Sequence, residues 1–254
     1  MNNNRLIYAV GQIDGRYIEE AAPGEKRKIS SVRKRWAVAA ACACLAVGAV
    51  FAAARIATRP AIVLSDGTTA KVSFAGNAGT GIYGGTVVDG ALAYLTEKEM
   101  FSADGVEIYR GKVSGVESYS IDFNGETVLR SVVTVKVEKC LKGDAETGES
   151  VRVLLPGIVA ENGVASEDTE VSALIEEGNE LIVMPRVCPA GSVWTFNGAS
   201  LVISDLATHT LPDGVRWVFL ETEDGLIFDR DAYPGAADAA SLDDVENYVA
   251  DMLK

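Results

Sequence analysis

From residue 105 to residue 139, apolar and polar side chains alternate with the two-residue period of β-strands. The segments VEIYRGKVSGVESYSIDF and ETVLRSVVTVKVEK are separated only by Asn124-Gly125. This dipeptide accepts the positive φ angles of a type I′ turn, so the pattern predicts a hairpin. The second strand is expected to bury one face and expose the other, with Leu129, Val133, Val135 and Val137 on the buried side and Arg130, Thr134, Lys136 and Glu138 on the exposed side.

Further strand patterns follow toward the carboxyl terminus. VRVLLP places Val151, Val153 and Leu155 on one face and Arg152 on the other. GNELIVMP and SVWTFNGASLVISD predict more strands, and WVFLETEDGLIFDR predicts a hairpin with Asp224-Gly225 at its turn. The patterns therefore predict a mainly β (α+β) fold.

Two short helices are predicted beside these strands. TEKEMFSAD, residues 96–104, begins with a Thr-x-x-Glu capping box. SLDDVENYVADMLK, residues 241–254, begins with Ser241 and Asp244 in an acidic variant of that box. Its apolar stripe is expected to cover the β domain and consists of Leu242, Val245, Tyr248, Val249 and Leu253.

An uncharged, alanine-rich stretch comes before the β patterns. Trp36 to Ala54 are 19 consecutive residues without a charge, and ten of them are alanine. At 1.5 Å per residue a helix of this length measures about 28 Å, close to the thickness of a hydrocarbon core. No polar side chain marks a solvent face, so we predict a transmembrane helix over residues 36–55.

A helix in the core of a soluble domain is possible but disfavoured, because the stretch has no polar face. Two further alternatives stay open. Ala52-Ala53-Ala54 fits the cleavage site of a signal peptide, although the 35 residues before the stretch are long for a leader. Cys42 and Cys44 could carry lipid, but each lacks a leucine three residues upstream, and small packing residues are the simpler interpretation.

The charge distribution gives the expected orientation. Residues 1–35 contain eight basic and four acidic residues, a net charge of +4, whereas residues 55–254 contain 15 basic and 32 acidic residues, a net charge of −17. Basic flanks stay in the cytoplasm, so the amino terminus is predicted to be cytoplasmic and the bulk of the chain extracytoplasmic. Because phosphate contacts require a basic surface, the acidic domain is not expected to bind nucleic acid.

Residues 56–90 are predicted to be a juxtamembrane, glycine-rich linker or hairpin, and residues 91–254 the extracytoplasmic domain. Within the linker, residues 79–84 match G-x-G-x-x-G, but Thr86, Val87 and Val88 continue as strand or coil where a dinucleotide site needs a helix. An ordinary glycine loop is the expectation, and no cofactor is predicted.

Residues with catalytic or metal-binding potential are few, and no catalytic or metal residue is predicted. His209 is the one histidine and lies in the turn-like ATHTLPDG, so a surface position is expected. Glu221, Glu223 and Asp224 surround a hairpin turn where solvated acids are common. Residues 167–170, Glu-Asp-Thr-Glu, lack the spacing of an EF-hand calcium loop. Cys140 and Cys188 either form a disulfide or remain free thiols.

Residues 4–23, NRLIYAVGQIDGRYIEEAAP, predict a short amphipathic helix that binds a cytoplasmic partner, lies on the inner membrane surface or is disordered. Followed by a basic stretch and an alanine-rich span, this segment resembles the start of bacterial single-pass proteins of unassigned function, some of which look like membrane-bound anti-sigma factors. The resemblance covers about the first 55 residues and implies a cytoplasmic regulator as partner. The zinc-binding His/Cys cluster of the better-known anti-sigma domain is absent, since no His or Cys precedes Cys42.

The order IYRGKV, VVTVKVEKCLKGD with GESVRV, and EGNELIVM resembles netrin-like or metalloproteinase-inhibitor-like domains of the OB-fold class over about residues 105–185. The resemblance implies an OB-like β-barrel. It does not imply protease inhibition, because those inhibitors use a cysteine-anchored amino terminus that this chain lacks.

The sequence thus predicts a single-pass membrane protein, not an enzyme, whose extracytoplasmic domain binds an unknown ligand or protein and signals to a cytoplasmic regulator through residues 4–23. The alternatives are an envelope hydrolase and a passive structural module of the envelope.

Overall fold

The computed structural model describes residues 61–75, 95–159 and 169–254. All of these residues except Ala61 belong to a compact unit, Ile62–Lys254. The segment 4–23, the predicted span 36–55 and the glycine motif 79–84 lie outside the described residues. Among the residues that are described, no helix combines the length and the apolar character needed to cross a bilayer.

The described part of the chain is mainly β, as the sequence predicts. Its strands are β1 (Lys71–Phe74), β2 (Ile108–Phe123), β3 (Glu126–Lys142), β4 (Ser150–Leu154), β5 (Glu180–Val183), β6 (Arg186–Val187), β7 (Val193–Phe196), β8 (Ala199–Val202), β9 (His209–Thr210), β10 (Val218–Thr222) and β11 (Gly225–Ile227). Its helices are α1 (Glu97–Ser102) and α2 (Leu242–Met252), with 3₁₀ turns at Ser172–Leu174, Ile203–Asp205 and Pro234–Ala236.

One strongly curled sheet forms a half-barrel. Its strand order is β11-β10-β5-β2-β3-β4-β9-β6, and β1 pairs with the far end of β2. All pairings are antiparallel except that of β4 with β9, which is parallel. Val106 forms a bridge with Arg186, and the Val187 N–H donates to the Gly105 carbonyl at 2.8 Å. The last strand of the order therefore lies against the residues that lead into β2.

The hairpin of β2 and β3 is confirmed, and it is long. Asn124 and Gly125 occupy its turn with φ angles of 55° and 95°, the left-handed values that the dipeptide was expected to adopt. The hairpin of β10 and β11 is also confirmed, but its turn lies one residue earlier than the predicted Asp224-Gly225. Thr222 pairs with Gly225, so Glu223 and Asp224 form the centre of that turn and Gly225 begins β11.

The predicted faces of β3 are correct only in its second half. Val133, Val135 and Val137 are buried in the main core, and Lys136 and Glu138 are exposed. Toward the turn, the other face is covered as well, because Val132 packs in a second core with Tyr119, Ile121 and Phe123. Arg130 lies on this covered face and is only partly exposed. The expectation that Arg130 faces solvent is therefore wrong.

Both predicted helices begin with the expected caps. The Thr96 hydroxyl accepts from the Glu99 N–H, and the Ser241 hydroxyl accepts from the Asp244 N–H, each in a reciprocal capping box. Helix α2 packs against β5 and β10. Leu242, Val245 and Val249 of its stripe are fully buried, whereas Leu253 is 37% exposed because the helix ends at Met252.

Candidate ligand-binding surface

Two hairpins meet beside the half-barrel. The distal half of β2–β3, residues 117–131, extends beyond the strands that curl around the main core, and the β7–β8 hairpin packs on it through the second core. The two turns are joined by hydrogen bonds. The Asn124 side-chain amide donates to the Asn197 carbonyl at 3.0 Å, and the Asn197 amide donates to the Phe123 carbonyl at 3.0 Å. Each turn thereby fixes the position of the other.

Asn197-Gly198 forms the β7–β8 turn with the same backbone geometry as the first turn. The φ angles are 43° for Asn197 and 73° for Gly198. Asparagine and glycine tolerate this left-handed conformation better than other residues. Two Asn-Gly dipeptides, 73 positions apart in the chain, therefore build one interlocked rim.

Aromatic rings fill the space between the hairpins. The Phe123 ring lies 4.8 Å from the Trp194 ring and 5.7 Å from the Phe196 ring, centre to centre, and Phe74 stacks on Tyr119 at 5.2 Å. Phe123 and Tyr119 are buried, but Trp194 and Phe196 retain partial exposure. We define the hairpin face as the partly exposed side chains of Val128, Arg130, Trp194 and Phe196.

Arg130 brings a positive charge to the hairpin face. Its guanidinium carbon lies 5.2 Å from the centre of the Trp194 ring, within the range of a cation–π interaction. Its Nη1 donates to the Leu129 carbonyl at 2.8 Å. Burial disfavours the charged form and lowers the pKa of Arg130 to about 10. The guanidinium is thus held in place by an aromatic ring and a backbone carbonyl.

Residues 61–75 are fastened to the same hairpins. The Asp205 carboxylate accepts from the Ser65 N–H and hydroxyl at 3.0 Å each and from the Thr68 hydroxyl at 2.5 Å. The Thr69 and Ala70 N–H groups donate to the Ser200 carbonyl in β8. Strand β1 then pairs with β2 opposite residues 119–122. The chain entering the folded unit therefore contacts both hairpins directly.

His209 does not occupy the surface turn that the sequence predicts. It lies in β9 and is buried, with only 9% of its surface exposed. Its Nε2 is 2.9 Å from Glu107 Oε2, and its Nδ1 is 2.9 Å from the Thr208 hydroxyl. The Tyr109 ring packs edge-on against the imidazole at 6.0 Å. These contacts form a carboxylate–imidazole–hydroxyl chain.

The structure does not bring the other residues with catalytic potential to His209. Glu221, Glu223 and Asp224 lie at the β10–β11 hairpin, and the described hydrogen bonds of His209 go to Glu107 and Thr208 instead. Of the acidic patch at residues 167–170, Thr169 is buried and Glu170 is exposed, while Glu167 and Asp168 lie outside the described residues.

Cys140 and Cys188 are free thiols in the structure, which favours the second of the two alternatives drawn from the sequence. Burial raises the pKa of both thiols above the ordinary value. They are therefore less reactive than exposed cysteines at neutral pH.

Sequence reasoning missed Arg130, Trp194 and Glu107 as components of a site. Apolar and polar residues alternate around Arg130, and this pattern predicts a solvent-facing side chain. Glu107 lies in the same kind of alternating pattern. A signal for Arg130 would have been its place between two apolar positions, Val128 and Val132, on the same face. Nothing local indicated that a hairpin more than 60 residues away covers it.

In residues 61–75, 95–159 and 169–254, no three His, Cys, Asp or Glu side chains are grouped so that they could hold a metal ion. In comparisons with known proteins, no family model matches the chain, and no curated protein matches it at a significant level.

Proposed function

We propose that the chain is a single-pass membrane protein of the bacterial envelope whose extracytoplasmic domain is an OB-like barrel that binds a ligand. Residues 36–55 are the span in this proposal, and residues 1–35 are cytoplasmic. The hairpin face is the ligand-binding surface.

Strand connectivity is the observation that carries the proposal. An OB barrel closes in the strand order 1-2-3-5-4-1, with strands 3 and 5 parallel. Here β2, β3 and β4 pair in succession, β4 is parallel to β9, β9 pairs with β6, and β5 pairs with β2. Strands β5 and β6 together take the role of strand 4, since only Met184 and Pro185 separate them.

The same correspondence supports the hairpin face as the ligand-binding surface. OB barrels bind oligonucleotides and oligosaccharides between the loop that joins strands 1 and 2 and the loop that joins strands 4 and 5. In this chain those loops are the distal β2–β3 hairpin and the segment that contains β7–β8. They are the two hairpins that border the hairpin face. A net charge of −17 over residues 55–254 opposes contact with a phosphate backbone, so an oligosaccharide is the favoured ligand class.

Co-sedimentation with an envelope glycan tests ligand binding. The full-length protein in detergent is mixed with protein-free bacterial cell-wall sacculi and pelleted. Saturable binding is expected, and Phe196→Ala on the hairpin face should weaken it at least fivefold. Leu174→Ala, at a residue that is 37% exposed in a 3₁₀ turn, is the control and should leave binding unchanged. The absence of saturable binding would favour the passive structural module.

The proposal also includes a relay to the cytoplasm. The amphipathic pattern of residues 4–23 supports it. Residues 1–35, immobilised as a peptide, should enrich a sigma factor or another cytoplasmic regulator from a bacterial lysate. A peptide in which Leu6, Val10 and Tyr17 are replaced by serine is the control. Equal recovery on both peptides would remove the relay.

The Glu107–His209–Thr208 chain supports an envelope hydrolase as the second candidate. A carboxylate, an imidazole and a hydroxyl in hydrogen-bond sequence are the groups that activate a nucleophile in hydrolases. Under this alternative, the full-length protein hydrolyses p-nitrophenyl acetate above the rate of the buffer, and both Thr208→Val and His209→Gln abolish that excess. Hydrolysis that persists in Thr208→Val would exclude the Thr208 hydroxyl as the nucleophile.

A further inference from the structure

Arg130 is a partly buried cation that the described part of the chain leaves without a counter-ion. Within residues 61–75, 95–159 and 169–254, no carboxylate forms an ion pair with it, and its polar contacts there are the Leu129 carbonyl and the Trp194 ring. Its Nε and Nη2 groups donate to no protein atom in the described residues. A buried charge is ordinarily paired, so an unpaired one requires an explanation.

The other partly buried arginines of the domain are paired. Arg110 contacts Asp243 and Glu246, Arg152 contacts Glu117 at 3.0 Å, and Arg216 contacts Asp213 at 2.8 Å. Residues 55–254 contain 32 acidic residues, so partners for Arg130 are not scarce in the sequence. Among the acids that the structure describes, however, none forms an ion pair with the Arg130 guanidinium.

The geometry around Arg130 suits an oxyanion. A guanidinium offers donors in a planar fork, which matches the oxygens of a carboxylate or a phosphate in a bidentate pair. One donor, Nη1, already binds the Leu129 carbonyl, and the Trp194 ring covers one face of the group. These two contacts restrict the rotamers of the side chain, so little conformational entropy remains to be lost when an anion binds.

We propose that Arg130 binds an anionic group, a carboxylate or a phosphate, on the oligosaccharide that the hairpin face recognises. The inference rests on the proposed function and specifies the ligand as an acidic sugar or a sugar phosphate. The surrounding negative charge repels anions at long range. An anion is therefore bound only when it contacts Arg130 directly. This requirement favours an anionic ligand whose other groups contact the rest of the hairpin face.

NMR of the arginine side chains tests the inference. The full-length protein in detergent is labelled with ¹⁵N-arginine, and the Nε–Hε signal of Arg130 is identified by its loss in Arg130→Lys. Sodium glucuronate, glucose 6-phosphate and glucose are titrated separately at constant ionic strength. The Arg130 signal should shift saturably with at least one of the two anions and not with glucose. The response to each anion distinguishes a carboxylate from a phosphate as the recognised group.

Exposed Arg186 provides the matched control. With ¹⁵N-tryptophan labelling, the Trp194 indole signal reports binding in variants that lack Arg130. Arg130→Gln should raise the apparent Kd of the effective anion at least tenfold, whereas Arg186→Gln should leave it unchanged. A saturable shift of the Arg130 signal that is equal for glucose and both anions, or no saturable shift with either anion, would overturn the inference.

The two proposals fail separately. If wild type and Arg130→Gln bind cell-wall sacculi with equal affinity, the inference about Arg130 is wrong and glycan binding stands. If wild type does not bind sacculi but the Arg130 signal still shifts saturably with an anion, the anion site stands. The proposal that cell-wall glycan carries the anionic group is then wrong.

Discussion

Gly111 shows how a single residue determines the contact between two strands. A Cβ atom at this position would lie 2.3 Å from the Lys136 carbonyl oxygen and 2.9 Å from Cγ1 of Val135. The pairing of β2 with β3 also shifts register between Arg110 and Gly111. Because the nearest atom belongs to the backbone of the partner strand, a side chain could be accommodated only by moving β3.

Gly111→Ala should therefore destabilise the domain by about 1–3 kcal/mol, the usual cost of forcing an extra group into a packed site. Gly115→Ala is the matched control. Gly115 also lies in β2, beside another of the three register shifts, but a Cβ there meets nothing within 4 Å. The free energy of unfolding of each variant is measured by urea denaturation of the full-length protein in detergent, with tryptophan fluorescence as the signal. Equal loss of stability in the two variants would show that the close approach of β3 to Gly111 is not the cause of the destabilisation.

At the scale of elements, helix α2 is held by a buried stripe on one face and by ion pairs on its flank. Arg110 of β2 contacts Asp243 and Glu246, and Lys139 of β3 contacts Glu246. The hydrogen bond from Lys139, followed by that from Arg110, lowers the pKa of Glu246 below its ordinary value of 4.5. Glu246 thus connects the helix to both strands of the long hairpin.

Glu246→Gln should lower the free energy of unfolding by about 1 kcal/mol at pH 7, the upper range for a surface ion pair, since Glu246 contacts two cations. A carboxyl group whose pKa is depressed by folding contributes stability above its unfolded pKa and loses it as pH falls through the folded value. The difference between wild type and Glu246→Gln should therefore be full at pH 7 and shrink below about pH 4.5.

Asp251→Asn is the control for this helix. The Asp251 side chain pairs with Lys254, and 74% and 76% of the two side chains are exposed. Its replacement should change the free energy of unfolding by less than about 0.5 kcal/mol at any pH. Denaturation curves at a series of pH values compare the three proteins. A Glu246→Gln difference that stays constant down to pH 3 would contradict the assigned ion pairs.

The polar face of β3 shows why the hairpin prediction is incomplete. Alternation in β3 predicted one buried and one exposed face, which holds for Val135 and Lys136 but not for Arg130. A two-residue period identifies the two faces of a strand, but it does not report whether a second layer covers the polar one. The β7–β8 hairpin provides that layer, and its own turn signal, Asn197-Gly198, carries no information about where the hairpin docks.

The charge of the whole molecule is divided among a cationic amino-terminal segment, an uncharged stretch and an acidic folded unit, and this division is the basis of the proposed membrane topology. The net charges of +4 over residues 1–35 and −17 over residues 55–254 are properties of the sequence alone. Residues 65–70, which are fastened to Asp205 and Ser200, begin ten positions after residue 55, the end of the predicted span. A ligand on the hairpin face would thus bind close to the chain that enters the domain.

Cell fractionation tests this arrangement. The full-length chain should appear in the membrane fraction and resist extraction with sodium carbonate, because 19 uncharged residues are enough for the proposed helix to cross a bilayer. Protease added outside spheroplasts should remove the acidic domain and leave a fragment that contains residues 1–35. Replacing Leu45 and Val47 with arginine is the control, and this variant should be released from the membrane fraction by sodium carbonate. Recovery of intact wild-type chain from the cytosol would contradict the proposed topology.

The sequence alone specifies strands β2–β5, β7, β8, β10 and β11, the Asn124-Gly125 turn and the two capping boxes, because each depends on side-chain period, φ preference or hydrogen bonds within a few residues. It also determined the charge division. Only the tertiary structure decided that β4 lies parallel to β9, that His209 meets Glu107 across 102 positions, and that Arg130 lies against Trp194. Those contacts join distant segments, and a local pattern of apolar and polar residues does not specify which distant surface will pack against it.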